Sequence, residues 1–403
     1  MTKKVLVIST YPIDKPQHGG QKRVEAIVKE YRRAKHHVKH LAIYMDYFYP
    51  NTPEDNIAIP WVKYHFEPAA ALVGDLMLAD ILQKEKSADE KFTRIVSQFK
   101  PDIIQVEQGF LYKTVRDSLN KQSWRGVMIN STHNIEADLK RHILEDSAGL
   151  EPKALEEIVA RIDTLERFSA TDADWTIACT EADAKDLVAM GSKQVILAPN
   201  GIGREIVDQQ EVQKWEKRFE SEGVNKVILY VGSAHPPNLS GYKDMIGEKV
   251  GFLNDDTRFV MVGGIADMIY GYGQSLPNYL KELYMDHILF LGRVEEKTLS
   301  ALLHVANQII LPINEGGGSN LKTAEAILAD KFVVGTEKAF HSYEKYLSLP
   351  NIVVADSGKA FRLAMDTQLH SKKVARSATE KQLAEGVLWK NALKLMVERI
   401  STS

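Results

Sequence analysis

The sequence predicts an α/β protein with two doubly wound, Rossmann-like domains that face a cleft. Short apolar runs alternate with helical segments along almost all of the 403 residues, which is typical of parallel sheets covered by helices. The length favours two domains over a single core. The alternation stops over residues 204–226, where charged residues and glutamine dominate, and then starts again. This interruption predicts a connector between the domains.

The first predicted domain covers residues 1–200. Its strands are expected where short apolar runs occur, at residues 5–9, 38–44, 103–106, 127–130, 176–179 and 195–198. Helical patterns lie between them, at about 21–35, 72–99, 152–173 and 181–190. This order of elements predicts a parallel sheet.

The second predicted domain covers residues 201–384. Strands are expected at residues 227–232, 259–263, 288–291, 309–312, 332–334 and 352–354, with helices at about 296–304 and 321–329. A last helix is expected at about 378–400 with Ser377 as its N-cap. Its end, from about residue 385 to 403, is expected to cross back to the first domain.

Composition narrows the class of protein. Apolar residues make up 44% of the chain and charged residues 26%, as in soluble globular proteins. The net charge of −3 gives no basic field for nucleic acid. Cys179 is the single cysteine, and no signal peptide or membrane-length apolar run is seen, so we expect a cytoplasmic protein. The basic segment 31–40 predicts either a solvated helix end or a peripheral contact at the inner membrane face.

A glycine-rich loop at residues 316–320 separates a predicted strand from a predicted helix. Backbone N–H groups and the helix dipole at such a junction attract phosphate. Lys322 would add a positive charge, and Glu325, one turn further on, could accept hydrogen bonds from sugar hydroxyls. The alternative is that the glycines only make a tight turn. The pattern favours a nucleotide or nucleotide-sugar site at the carboxyl edge of a parallel sheet.

Four further candidates follow predicted strands. Gly19 and Gly20 precede the first helix and predict a second anion platform, or only a turn. His133 follows strand 127–130 and predicts a site residue at the ligand edge of the sheet, or a structural histidine. Glu107 is a weaker candidate for acceptor binding. Arg293 could contact a diphosphate.

Taken in order, these motifs resemble those of retaining glycosyltransferases with the GT-B fold, in particular the large family-four group that uses nucleotide sugars. The resemblance covers nearly the whole chain. It rests on G-G-x-x-R at Gly19, T-H-N at Thr132, P-N-G-I at Pro199, L-G-R-V at Leu291 and G-G-G-S-N-L-K-x-x-E-A at Gly316.

The resemblance implies transfer of a sugar from a nucleoside diphosphate to a glycan or lipid-linked acceptor, with retention, in glycan or polysaccharide biosynthesis. It implies no metal and no cofactor, because the helix dipole and positive charges would stabilise the leaving diphosphate. Two alternatives to this function are an epimerase of the same fold and a non-catalytic glycan-binding subunit. The oligomeric state is left open.

The resemblance also assigns roles to the domains and to residues. It implies acceptor binding by the first domain, residues 1–200 with the C-terminal helix, and donor binding by the second, residues 201–384. It implies a catalytic role for His133 and Glu315, ribose binding by Glu325, and weaker acceptor contacts by Arg23 and Glu107. The residues implied in donor diphosphate binding are Gly19, Gly20, Arg293, Gly317, Gly318, Ser319, Asn320, Leu321 and Lys322.

Two departures from the family pattern leave the stereochemical course open. Gly317 stands where a glutamate is expected, so Glu315 is the nearest substitute. The usual Arg and Lys pair after the first strand of the second domain is missing, so Lys243 or Arg293 would have to replace it.

Overall fold

The computed structural model describes residues 2–46, 49, 52–60, 73–147, 150–204, 207–315 and 321–402. The chain forms two compact units, Met1–Asn200 with Ala392–Ser403, and Gly201–Asn391. Each unit contains one parallel sheet with helices packed on it, so the predicted pair of Rossmann-like folds is confirmed. The assignment of acceptor and donor roles to the two units stays a prediction.

The sheet of the first unit has seven strands among the described residues, in the order β3-β2-β1-β4-β5-β6-β7. Its central strands are buried almost throughout because helices cover both faces of the sheet. The strands are β1 Lys4–Ser9, β2 His37–Met45, β3 Ile57–Ile59, β4 Ile103–Glu107, β5 Val127–Ser131, β6 Trp175–Ala178 and β7 Val195–Leu197.

The first unit has more helices than the sequence predicted. The expected helix at 72–99 is two helices, because Glu85 takes an extended conformation and ends the first of them. The edge strand β3 was missed because three residues are too few to show a period. The helices are α1 Gly19–Arg33, α2 Gly74–Lys84, α3 Lys86–Phe99, α4 Tyr112–Lys121, α5 Glu136–Ser147, α6 Pro152–Asp172 and α7 Glu181–Ala189.

The sheet of the second unit has six described strands, in the order β10-β9-β8-β11-β12-β13. The strands are β8 Lys226–Val231, β9 Thr257–Val262, β10 Ile288–Gly292, β11 Gln308–Leu311, β12 Phe332–Gly335 and β13 Ile352–Val354. The helices are α8 Gln209–Ser221, α9 Pro236–Met245, α10 Ile265–Gln274, α11 Asn278–His287, α12 Glu296–Val305, α13 Leu321–Leu328, α14 Gly358–Leu369, α15 Ala378–Ala384 and α16 Trp389–Ala392.

The C-terminal segment is broken where the sequence predicted one helix at 378–400. Ser377 does cap α15, through a capping box with Glu380. Leu388 is extended and pairs in parallel with Ile202, so backbone groups that would continue the helix bond to another segment. The chain then enters the first unit as α17 Lys394–Thr402. Within the described ranges, no helix is both long and apolar enough to cross a bilayer.

Candidate active site

In each sheet the strand order reverses at one place, which is where ligands bind in open α/β sheets. In the first unit this switch point lies between β1 and β4, which are neighbours although β2 and β3 come between them in the chain. In the second unit it lies between β8 and β11. Candidate residues are found at the carboxyl end of both pairs of strands.

Three buried side chains meet at the switch point of the first unit. Nε2 of His133 lies 2.8 Å from Oε2 of Glu107, and Nδ1 lies 3.3 Å from the hydroxyl of Tyr11. Tyr11 follows β1, Glu107 ends β4 and His133 follows β5. The exposed fractions are 5% for Tyr11, 0% for Glu107 and 8% for His133. We call these three residues the histidine cluster.

The protonation states of the cluster follow from its burial. Burial lowers the pKa of His133 by more than the hydrogen bond to Glu107 raises it, so the imidazole is neutral at pH 7. Burial alone would raise the pKa of Glu107, but hydrogen bonds and the charge of Arg23 hold that pKa below its ordinary value. Burial also raises the pKa of Tyr11 well above its ordinary value. The cluster therefore contains a carboxylate, a neutral imidazole and a phenol.

Arg23 is a buried positive charge that acts on Glu107 and His133 of the histidine cluster. The residue is 1% exposed, and its Nη1 donates to Oδ1 of Asn200 at 3.0 Å. Its Nε and Nη2 have no hydrogen-bond partner among the described residues. Almost no surface of Arg23 or Glu107 is open for the direct acceptor contacts that the sequence suggested.

Gly19 and Gly20 open α1. His18 caps the helix, and its side chain accepts a hydrogen bond from the backbone N–H of Gln21. A Cβ on Gly20 would lie 2.5 Å from the Tyr11 hydroxyl, so no larger residue fits there while Tyr11 keeps its place. This gives Gly20 a packing role that the sequence did not reveal.

The segment that carries His133 is anchored by a buried carboxylate. Glu166 on α6 accepts the backbone N–H groups of Glu136 and Ala137 at 2.6 and 2.9 Å, which caps the start of α5. Burial raises the pKa of both Glu136 and Glu166 to about 7. Neither carboxylate was expected from the sequence, because a cap supplied from another helix leaves no local motif.

The donor site predicted in the second unit is described in part. Gly317, Gly318, Ser319 and Asn320 lie outside the described residues. Glu315 is exposed and is the last described residue before them. The segment that leads to Glu315 lies against α9, where Nδ2 of Asn314 donates to Oδ2 of Asp244 at 2.8 Å.

Lys322 links the two sides of the second switch point. It lies on the first turn of α13, and its Nζ donates to Oδ1 of Asn238 at 2.8 Å. Nδ2 of Asn238 donates in turn to the carbonyl of Ser233, in the loop that follows β8. Burial lowers the pKa of Lys322 to about 8, although the charge of Glu325 opposes that shift. A half-buried ammonium therefore lies beside Leu321 at the start of α13, one turn before Glu325.

Close backbone packing shapes the same edge of the second sheet. A Cβ on Gly241 would lie 2.0 Å from the carbonyl oxygen of Pro312, and a Cβ on Gly263 would lie 2.2 Å from that of Gly232. Gly263 also has a φ of +92°, which side-chain-bearing residues rarely adopt. These close approaches pack α9 against the end of β11, and the end of β9 against the end of β8.

The two basic residues proposed to replace the missing pair lie elsewhere. Arg293 is exposed and follows β10, the edge strand, two strands from β8. Nζ of Lys243 lies 4.9 Å from the centre of the Tyr272 ring. The structure instead brings Lys322 and Asn238 to the switch point, and Asn238 was missed because H-P-P-N reads as a simple turn.

Two further kinds of reactive group are the Cys179 thiol and clusters of side chains that could bind a metal ion. The thiol is buried, donates to the carbonyl of Thr132 at 3.3 Å, and has a pKa raised by burial to about 11. It is therefore a protonated core residue. No group of three or more His, Cys, Asp or Glu that could hold a metal ion occurs in the described part of the chain.

The fold is that of solved glycosyltransferases. A sucrose-phosphate synthase from Thermosynechococcus elongatus has a TM-score of 0.68 at 14% identity, covering 100% of both chains. A UDP-forming trehalose-phosphate synthase from Burkholderia vietnamiensis has a TM-score of 0.64 at 13% identity, covering 100% of this chain and 99% of that one.

A third similar protein was solved with ligands. HepE of Anabaena in complex with UDP has a TM-score of 0.66 at 12% identity, covering 99% of this chain and 100% of that one. Its complex with UDP-glucose has a TM-score of 0.57 at 12% identity, covering 100% of both. No protein-family model and no curated protein sequence matches the chain. The structure thus has the GT-B glycosyltransferase fold, and identities this low establish the fold alone.

Proposed function

We propose that this protein is a glycosyltransferase that moves a sugar from a nucleoside diphosphate to a hydroxyl of a glycan or lipid-linked acceptor. The observation that carries the proposal is the link from Lys322 to Asn238 across the second switch point, with Glu325 one turn further along α13. Supporting it are the GT-B fold and the UDP complexes of HepE, a protein of similar fold.

Each group at the second switch point has a chemical role in this proposal. The ammonium of Lys322 and the start of α13 would stabilise the negative charge that builds on the diphosphate as the glycosidic bond breaks. Because Lys322 is already held by Asn238, little reorganisation is needed when that charge appears. Glu325 would accept hydrogen bonds from the ribose hydroxyls. Gly317, Gly318, Ser319 and Asn320 would supply further contacts to the diphosphate.

The family resemblance implies that His133, and with it the histidine cluster, takes part in sugar transfer. Retention would follow if the acceptor hydroxyl attacks the face that the diphosphate leaves, with a phosphate oxygen taking the proton. Protein base chemistry is then not required, which suits an imidazole whose two nitrogens are both engaged. The stereochemical course is part of the proposal.

Binding of nucleoside diphosphates tests the donor site. In calorimetric titrations with UDP, GDP, ADP and TDP, we expect at least one to bind. Glu325→Ala should weaken that binding by about tenfold or more, because a hydrogen bond to ribose contributes about 1.4 kcal/mol when its partner is removed. Glu282→Ala, an exposed glutamate on α11, is the control and should bind as the wild type does.

Three outcomes would count against the proposal. A folded protein that binds none of the four nucleotides has no donor site of this kind. Product analysis with the matching nucleotide sugar separates the remaining alternatives, because an epimerase would convert the donor without any acceptor. A protein that binds the donor and never turns it over would be a non-catalytic binding subunit.

A further inference from the structure

A buried chain of hydrogen bonds runs from α1 through β4 to the histidine cluster. We propose that Tyr11 and Glu107 are positioning residues that hold the His133 ring in a single tautomer, protonated at Nε2, and in one orientation. The link between this device and sugar transfer rests on the proposed function. The device itself is a property of the folded first unit.

The hydrogen-bond chain begins at Tyr31, whose hydroxyl donates to Gln105. The hydroxyl of Tyr31, on α1, lies 2.6 Å from Oε1 of Gln105, and both residues are fully buried. Nε2 of Gln105 lies 2.5 Å from Oε1 of Glu107. An ionised carboxylate can only accept, so the Gln105 amide must present its nitrogen to Glu107 and its oxygen to Tyr31.

The direction of these bonds fixes the tautomer of the histidine. Oε2 of Glu107 accepts from His133, so the proton of the neutral ring lies on Nε2. Nδ1 is then an acceptor, and the protonated hydroxyl of Tyr11 can donate to it at 3.3 Å. The opposite tautomer would place two acceptors, Nε2 and the Glu107 carboxylate, against each other. The bond to Tyr11 would only reverse, because a phenol can also accept from Nδ1–H, so Glu107 selects the tautomer and Tyr11 helps to fix the orientation of the ring.

Both ring nitrogens of His133 are therefore occupied by the protein. A neutral imidazole with no free nitrogen is poorly placed to take a proton from an acceptor, which distinguishes this arrangement from a general base. The His133 ring would instead form a fixed surface at the switch point between β1 and β4. The charged and titratable groups that act on His133 are Glu107, Arg23 and Asp75, and of these only Arg23 is positive.

Gly20 connects the glycine pair to the same device. The Tyr11 hydroxyl occupies the space that a Cβ at position 20 would need, 2.5 Å away. Gly20→Ala should therefore displace the hydroxyl from His133 without touching the histidine itself. Gly74→Ala is a matched control, because Gly74 also begins a helix of this unit and its Cβ would meet only Sδ of Met45, at 3.9 Å.

The tautomer can be measured directly by NMR. We would label histidine nitrogens with ¹⁵N in the full chain and identify His133 by the signals lost in His133→Gln. We expect the wild type and Gly74→Ala to show one tautomer, protonated at Nε2. Glu107→Gln should show a mixture of tautomers, because an amide can either accept from Nε2 or donate to it. Tyr11→Phe and Gly20→Ala should keep the Nε2–H tautomer and shift the ¹⁵N resonance of Nδ1, because that nitrogen loses its donor. Tyr112→Phe, which removes a buried tyrosine hydrogen bond to Asp172, should behave as the wild type.

Two NMR results would overturn the inference. One is a wild-type ring protonated at Nδ1 or exchanging between tautomers. The other is a single Nε2–H tautomer in Glu107→Gln together with an Nδ1 resonance that does not move in Tyr11→Phe. The wild-type spectrum alone decides the first point, so the inference remains testable even if a variant fails to fold.

Kinetics then separate this inference from the proposed function. Tyr11→Phe and Glu107→Gln should lower kcat by about 10²-fold, the effect of misplacing a site group by about 1 Å, and leave nucleotide affinity unchanged. Equal falls in kcat for Tyr112→Phe would assign the effect to stability and contradict a positioning role. A chain with the expected tautomer that binds no nucleotide would refute the proposed function and not the positioning device.

Discussion

At the scale of single residues, Lys322 shows how a site can be prepared for a ligand at the expense of stability. Burial holds its pKa at about 8, below the ordinary value of 10.5. The unfolded chain therefore keeps the proton more readily, and Lys322 destabilises the folded state most below about pH 8. That cost is relieved as pH rises from about 8 towards 10.5. A bound diphosphate would relieve it in another way, by neutralising the charge.

This balance predicts opposite effects on binding and on stability. The affinity for the nucleoside diphosphate should be constant below about pH 8 and fall above it, as Lys322 loses its proton. Lys322→Met should remove this pH dependence and weaken binding at pH 7. The ligand-free variant should also be more stable than the wild type at pH 7, by on the order of 1 kcal/mol.

Titration calorimetry at several pH values and thermal denaturation without ligand give the two readouts. Lys359→Met, at an exposed position of the same unit, is the control and should change neither. An affinity that falls with pH equally in wild type and Lys322→Met would show that another group titrates.

At the scale of elements, the position of α13 depends on a buried arginine at its far end. Nη1 of Arg376 donates to the carbonyl of Ile327 at 2.7 Å, and Nε donates to Oδ1 of Asn351 at 3.0 Å. Nε also lies 3.1 Å from a carboxylate oxygen of Asp330, just beyond the helix. A positive charge at a helix C-terminus satisfies carbonyls that the helix itself leaves open.

Removing this arginine should loosen α13 specifically. Arg376→Ala should cost roughly 2–4 kcal/mol, because it leaves buried acceptors without partners. Faster hydrogen exchange in α13, measured by mass spectrometry, should report this, together with weaker nucleotide binding through Lys322 and Glu325. Lys373→Ala removes an exposed ion pair to the same Asp330 and should cost less than about 1 kcal/mol. Equal exchange in the two variants would contradict the capping role.

At the scale of the whole molecule, the last twelve residues stabilise the unit that they return to. Leu393, Met396 and Ile400 are fully buried there. The guanidinium of Arg399 lies 5.2 Å from the centre of the Trp175 ring, and Oγ of Ser401 lies 3.1 Å from Nε2 of His36. The first unit therefore completes its core only when the end of the chain is in place.

A single substitution can test this dependence. Ile400→Ala should destabilise the first unit by about 2–5 kcal/mol through a cavity, and should leave the second unit as it was. Hydrogen exchange assigned to each unit is the measurement, because two units need not unfold in one transition. Leu395→Ala is the control at a side chain that is 62% exposed, and should change little. Equal loss of protection in both units would show that they unfold together.

The features found from the sequence are those that a local pattern can encode. Continuous apolar runs gave the central strands to within one or two residues, because a strand buried on both faces is mostly apolar. His133, Lys322 and Glu325 could be named as candidates from the sequence because each lies just after a predicted strand or in the first turns of a predicted helix, and their roles stay predictions. Ser377 was found because a capping residue acts within its own turn. Glu85 and Leu388, where predicted helices break, gave no such local signal.

The tertiary structure alone decided which of these residues act together. Tyr11 and Glu107 reach His133, Tyr31 reaches Gln105, and Asn238 reaches Lys322, over sequence separations that no local pattern records. Burial, which sets the pKa values of His133 and Lys322, is a property of the packed sheet rather than of the motif. The sequence alone determined the two-domain fold and the edge of each sheet where ligands would bind, because apolar periodicity depends on near neighbours. Protonation, tautomer and positioning depend on distant neighbours, which only folding brings together.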